Sequence, residues 1–251
     1  MALFTDGLIC GSEDLREYES SILEVARNES IELTPKLRVA QREIAFELIT
    51  FLMRHGPEHV DARRGLTNVI VTNTLRHWHA MQSLAAVYRD AYHQRMNDRY
   101  KEKWARYSLE TRTAKETCFT TGIGISLSPI PRATAPVCDS TSGGQLPSRT
   151  YLVAVNWRRG TQAGELSLPL AVEVAAGRLL QVRIEGTPSN IEGWCVFVGR
   201  DAERLYEGSS QALPLTEVWT ESGDPFAGKP ITVQAQSADL FVRLDRRINR
   251  G

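Results

Sequence analysis

From Thr74 to Thr121 the apolar and aromatic positions recur in steps of three and four. They are Leu75, Trp78, Met81, Ala85, Tyr88, Tyr92, Met96, Tyr100, Trp104, Tyr107, Thr111, Ala114 and Cys118. This is the period of one α-helical face, and no proline or glycine breaks it before Gly122. The pattern predicts a rod of roughly 48 residues, about 70 Å long at a rise of about 1.5 Å per residue. Its most polar point, Asn97 to Tyr100, marks a bend or break, which would leave two helices in line. Two shorter helices precede the rod. Ser12 to Asn28 carries Leu15, Tyr18, Ile22 and Val25 on one face, with Ser12 as the expected N-cap. A second helix begins at Thr34-Pro35, buries Leu37, Ala40, Ile44, Leu48 and Phe51, and ends by Gly56-Pro57. Val69 to Val71 reads equally as a short strand or as the entry turn of the rod.

After Gly122, Gly124 with Pro129 and Pro131 stops any further helix. Residues 128–148 turn to Pro, Ser, Thr and Gly, which reads as a linker. Beyond it the period becomes two. Tyr151, Val153, Val155 and Trp157 share one face of a strand, and short strands with turn residues every 8–12 positions follow. Leu180, Val182 and Ile184, and Trp194, Val196 and Val198, are the expected inward faces. The fold class is therefore multidomain α + β. Residues 1–127 form a helical bundle with a long helix, 128–148 a linker, 149–237 an all-β sandwich and 238–251 a C-terminal strand or arm. The Trp-bearing strands resemble an immunoglobulin or fibronectin type III module. The last stretch alternates Leu240, Val242 and Leu244 and then turns basic. It is either the final strand of the sandwich or an arm, carried by Phe241, Arg243, Arg246 and Arg247, that pairs with a neighbouring subunit.

Charge changes this picture in two ways. The 251 residues carry 30 Lys plus Arg against 30 Asp plus Glu, so no global basic field draws in nucleic acid. Arg89, Asp90, Arg95, Asp98, Arg99, Lys101, Glu102 and Lys103 exclude the rod as a membrane span. The start of the chain, MALFTDGLICGSEDL, lacks the basic and apolar regions of a signal peptide, so a cytoplasmic site of synthesis and assembly is expected.

Candidate chemistry is sparse. Cys10, Cys118, Cys138 and Cys195 show neither paired spacing nor a neighbouring histidine, which argues for free thiols and against zinc. His55 and His59 have metal-pair spacing, but Gly56 and Pro57 between them break the helix that would align them. His77 and His79 point in different directions, and GIG at 122–124 lacks the context of a phosphate loop. No nucleophile, metal or cofactor motif is present, so neither an enzyme nor a cofactor is expected. Asn97 to Trp104, with Tyr88, Tyr92 and Tyr107, interleaves aromatics and cations as nucleic-acid surfaces do. Because the aromatics keep one helical face, a face packed on a protein neighbour is the competing reading.

The order of two short helices, FELITFLMR, the LRHWHAMQSLAAVYRDAYHQRMNDRYKEKWARY rod and TGIGISLSPIPR resembles the helical head–tail adaptors of tailed bacteriophages. These sit beneath the portal and join head to tail. An appended module with VNWRRGTQAGELS and GWCVFVGR is similar to the immunoglobulin-like domains of phage virion proteins. The resemblance implies a structural virion protein at the neck. It implies a ring, dodecameric by similarity, that contacts portal protein and tail or stopper proteins and passes genomic DNA along its axis without reading it. No membrane partner is implied. Ring neighbours would then cover the aromatic stripe, making Trp78, Tyr88, Tyr92, Tyr100, Trp104 and Tyr107 the expected subunit or portal interface. The alternative is a neck- or tail-associated binding module whose sandwich takes carbohydrate or a host surface through Trp157, Trp194 and Trp219.

Overall fold

The computed structural model describes residues 1–56, 66–95, 98–201, 204–209, 211–221, 223 and 236–244. It divides into two compact units. One comprises Gly7–Leu127 with Ala238–Gly251, the other Met1–Asp6 with Ser128–Ser237. The chain is mixed α + β, with antiparallel sheets.

In the helical unit, Ser12–Asn28 is two helices, α1 (Ser12–Tyr18) and α2 (Ile22–Asn28). Gly11 is the N-cap, and its N–H donates to Asp14 Oδ2 at 2.6 Å, so the capping contact sits one residue before the expected Ser12. The break falls at Glu19, whose extended backbone (φ −143°, ψ 93°) ends α1. α3 (Leu33–His55) places Pro35 in its first turn, where no helical donor is lost, and buries the expected Leu37, Ala40, Ile44, Leu48 and Phe51.

The single rod is not what forms. α4 (Asn73–Arg95) and α5 (Lys101–Thr121), joined through a 3₁₀ turn at Asp98–Tyr100, fold back on one another as an antiparallel hairpin. Ring contacts run in opposite order along the two helices: Trp78 meets Phe119 at 5.5 Å, Tyr88 meets Tyr107 at 5.5 Å and Tyr92 meets Trp104 at 5.7 Å. The polar tip is thus a reversal of direction rather than a bend between helices in line. α3 lies against both arms. Lys36 pairs with Asp90, Lys115 with Glu47 at 2.7 Å, and the Phe51 and Phe119 rings stack at 4.3 Å.

Val69–Ile70 is a strand, β1, pairing antiparallel with β2 (Ile123–Ile125). Gly122 links α5 to β2 at φ 109°, and a Cβ there would sit 2.8 Å from Arg243 Cγ, so both backbone and space call for glycine. β11 (Leu240–Val242) pairs with the other edge of β2, Leu240 opposite Ile125. The C-terminal stretch is therefore neither a strand of the β-rich unit nor, over 240–242, a free arm. It returns to the helical unit. Asp239 fixes that return by accepting from Leu127 N–H at 2.8 Å and Ser126 Oγ at 3.3 Å.

In the β-rich unit, β3 (Val137–Leu146), β7 (Arg178–Arg183) and β10 (Trp219–Glu221) form one antiparallel sheet in the order β10-β7-β3. The second sheet runs β5-β4-β8-β9, with β6 on the β5 side of β4. Its strands are β4 (Arg149–Arg159), β5 (Gln162–Ala163), β6 (Leu170–Val174), β8 (Gly193–Gly199) and β9 (Leu205–Glu207). The stretch 128–148 is not the expected linker: β3 occupies about half of it, and Ile130 and Ala133 are buried in the core. Its polar composition belongs to an edge strand whose outer face is wet, a pattern that composition alone does not separate from a linker. Gln236 ties the other end of the unit to the same segment: its side chain donates to Ile130 O at 2.8 Å and accepts from Ile130 N–H at 2.9 Å.

The two sheets share one core. Tyr151, Val153, Val155 and Trp157 meet Leu180, Val182, Trp194, Val196 and Val198 there, as the alternation predicts, and Ile184 packs at its margin. The other face of β4 and β8 is also closed by Ala154, Asn156, Cys195 and Phe197, so these strands are buried on both sides. Trp157→Ala is expected to cost about 3–5 kcal/mol of the β-rich unit's stability in denaturant unfolding. A loss below about 1 kcal/mol would mean that the shared core is not what holds the sheets.

Candidate functional site

The chemistry-bearing side chains of the helical unit converge where α1 and α2 meet the hairpin. Glu19, freed from helical geometry at the end of α1, accepts from Lys103 Nζ at 2.7 Å, Tyr107 Oη at 3.0 Å and Ser21 Oγ at 2.7 Å. Lys103 also lies 3.4 Å from Tyr88 Oη, and Tyr100 Oη donates to Glu29 at 3.0 Å. Burial pushes the Glu19 carboxyl up, but the donors from Lys103, Ser21 and Tyr107 outweigh it and hold it at about 2. Burial first, then the bond to Glu19, raises the Tyr107 phenol. This is a charged, hydrogen-bonded clamp between the N-terminal helices and both hairpin arms.

Four of the six expected interface aromatics, Trp78, Tyr88, Tyr100 and Tyr107, are buried within the helical unit, Tyr88 completely. The stripe is covered by its own second half, so neighbouring subunits need not cover it. Tyr92 and Trp104 remain half-exposed near the tip, stacked at 5.7 Å, with the exposed His93 edge-on to Trp104 at 5.2 Å. Beside them α3, α4 and α5 enclose a shallow cleft of about 210 Å³, with Ala85 and Ala86 among its lining, Trp104 and Ser108 from α5, and Gln82 and Arg89 at its margin.

The remaining chemistry is quiet. Burial pushes the Cys10 and Cys138 thiols up to about 12 and Cys118 to about 11, which keeps these three thiols protonated and poorly nucleophilic at neutral pH. His79 is fully buried, bonded through Nε2 to Leu37 O at 3.0 Å, and desolvation lowers it to about 4. His77 packs on Tyr18 at 5.3 Å and His55 on Phe51 at 4.9 Å, while His59 lies outside the described residues. Among the described residues no three His, Cys, Asp or Glu side chains could hold a metal, and no helix is long and apolar enough to cross a membrane. Of the C-terminal residues, Phe241 within β11 and Arg243 just after it are exposed, and Arg246 and Arg247 lie outside the described residues.

No protein-family model matches the chain, and no curated protein matches it.

Sequence reasoning missed two features. Glu19 meets its partners 84 and 88 positions away, which no local pattern announces. The other is a second apolar stripe on α3, opposite its buried one: Phe46 and Met53 are 73% and 68% exposed, with half-buried Val39 and Ile49 beside them. Its signal, apolar residues at 39, 46 and 53, was available in the seven-residue spacing.

Stability of the helical unit is expected to depend on pH in two legs. The unfolded His79 protonates near 6.5 and the folded one only near 4, so the unfolded state binds more protons between those values. Protection of α4 and α5 amides should be full above pH 6.5 and fall towards pH 4. Glu19, ordinarily near 4.5 but held at about 2, adds a second loss as the pH drops through that range. His79→Gln should flatten the first leg, and an unchanged slope in that variant would contradict this account. Glu19→Gln is expected to cost about 1–3 kcal/mol, because it removes the charged acceptor of Lys103 and Tyr107.

Proposed function

We propose that this chain is a structural protein of a tailed-bacteriophage particle, a head–tail adaptor that docks beneath the portal and joins capsid to tail. The observation that carries the reading is the outward face of α3. Large apolar side chains as open as Phe46 and Met53, with Leu109 62% exposed on α5, mark surfaces built to meet protein. The sequence resemblance to helical adaptors names the assembly. In this reading the chain works in the virion neck as a ring, dodecameric by similarity, around a DNA passage, and it carries no catalytic group.

The β-rich unit is read as an immunoglobulin- or fibronectin-like sandwich. The pairing of β3 with β7, and of β4 with β8, β8 with β9 and β4 with β6, follows the B–E and C′–C–F–G pairings of that architecture. Two features depart from that pattern. β10, the last strand of the unit in sequence, occupies the other edge of β7. Cys138 packs against the shared core while Cys195 lies on the opposite face of its sheet, so the inter-sheet disulfide of antibody domains has no counterpart. A carbohydrate-binding role through Trp157, Trp194 and Trp219 draws no support from their placement. At 1%, 0% and 8% exposure, they offer no open ring face to a sugar.

The direct test is quantitative mass spectrometry of purified particles, with co-purification of the chain on recombinant portal protein. The chain is expected in mature particles in several copies per portal. Its absence from the particle, or its presence only in lysate, would overturn the reading.

A further inference from the structure

α3 carries two stripes on opposite sides. The inner one, Leu37, Ala40, Ile44, Leu48 and Phe51, is buried. The outer one is Val39, Arg42, Phe46, Ile49 and Met53, in steps of three, four, three and four. At about 100° per residue these five span about 80°, centred opposite Leu37, Ile44 and Leu48. Such steps are the two seam positions of a heptad, the pattern of a helix that pairs with a second helix. Phe46 and Met53 are exposed and Val39 and Ile49 half-buried, so the seam is open over about 21 Å of α3. A partner in β-strand form would call for a two-residue period, which this face lacks.

One seam position is charged. Arg42 is exposed within the stripe, and Arg38 is exposed one turn before it on the same flank. Neither has a carboxylate partner among the described residues. The other flank holds Glu43 and Glu47, drawn to the hairpin by Gln82 at 2.5 Å and Lys115 at 2.7 Å. The two flanks therefore differ in sign. Covering Arg42 strips water from its guanidinium, and an acid on the covering helix is what replaces it. That helix is not one of the chain's own described helices. Among the described residues no other helix exposes two large apolar side chains; α5 exposes Leu109 alone and α1 Tyr18 alone.

We infer that the outer face of α3 takes an amphipathic helix of another protein, with apolar residues at heptad spacing and acids on the flank that meets Arg38 and Arg42. The inference deepens the adaptor reading, which the same face carries, by giving the chemistry of the partner. It rests on that reading only for placing the partner in a particle.

The probe is a synthetic three-heptad peptide with Leu at both seam positions, Glu along one flank and Gln along the other, titrated with the full chain by fluorescence anisotropy. The native chain is expected to bind it with a micromolar dissociation constant, the weak end for an interface this short. Phe46→Asp, and separately Arg38→Glu with Arg42→Glu, should each weaken binding by about tenfold or more. Circular dichroism should not change, because all three side chains are exposed. A native chain that does not bind the peptide overturns the inference, as does binding indifferent to both variants. So does a native chain that pairs with itself through α3, or one whose Arg38 and Arg42 hold duplex DNA in place of the peptide. Particle composition decides the adaptor reading separately: a chain present in purified particles but unable to bind the peptide refutes this inference alone.

Discussion

The structure depends on one interaction, the pairing of aromatic rings across the α4–α5 hairpin. An α-helix bearing a stripe of Trp and Tyr along its whole length is unstable in water until the stripe is covered. The nearest cover is the other half of the same stripe, brought back by a short reversal at low loop-closure cost. Tyr88 on Tyr107 and Tyr92 on Trp104 are the result. The remaining side of the hairpin is closed by α3 through Phe51 on Phe119, and its polar atoms are closed by Glu19. Tyr107 belongs to both sets, stacked on Tyr88 and donating to Glu19 beside Lys103 and Ser21, so packing and electrostatics meet at one residue.

The fold-back has a consequence for the rest of the chain. By returning α5 to the level where α4 begins, it sets β2 beside β1, and β2 then has a free edge for β11. The β-rich segment leaves the helical unit after Leu127 and the chain re-enters it at Ala238. The main segment of the β-rich unit, 128–237, thus lies between two strands that pair with each other, an arrangement that keeps the ends of the inserted segment close and the host fold intact.

Local periodicity carried most of the secondary structure. The steps of three and four at Leu37 to Phe51 and the alternation at Tyr151 to Trp157 are each fixed by neighbours within a few positions, and both appear as read. What was not legible depended on distant partners. The reversal at Asp98–Tyr100 contains no proline or glycine, and its only local sign is polarity. The pairing of Leu240 with Ile125 spans more than a hundred residues, and an alternating strand carries no record of which edge it will join. Of the candidate site, the aromatic positions were readable and their orientation was not, since a stripe looks the same whether a neighbour or its own continuation covers it. Phe46 and Met53 lay outside the dominant period of α3 and were hidden by it.

The measurement that bears most directly on this account is the distance between spin labels at Asn73 and Thr120, both exposed at the far ends of the hairpin arms. Paired helices lie about 10 Å apart, so a folded-back hairpin predicts a single distance population within about 25 Å once the label linkers are included. A population near 70 Å, the length of an unbroken helix between these positions at about 1.5 Å per residue, would contradict the hairpin and the insertion topology with it.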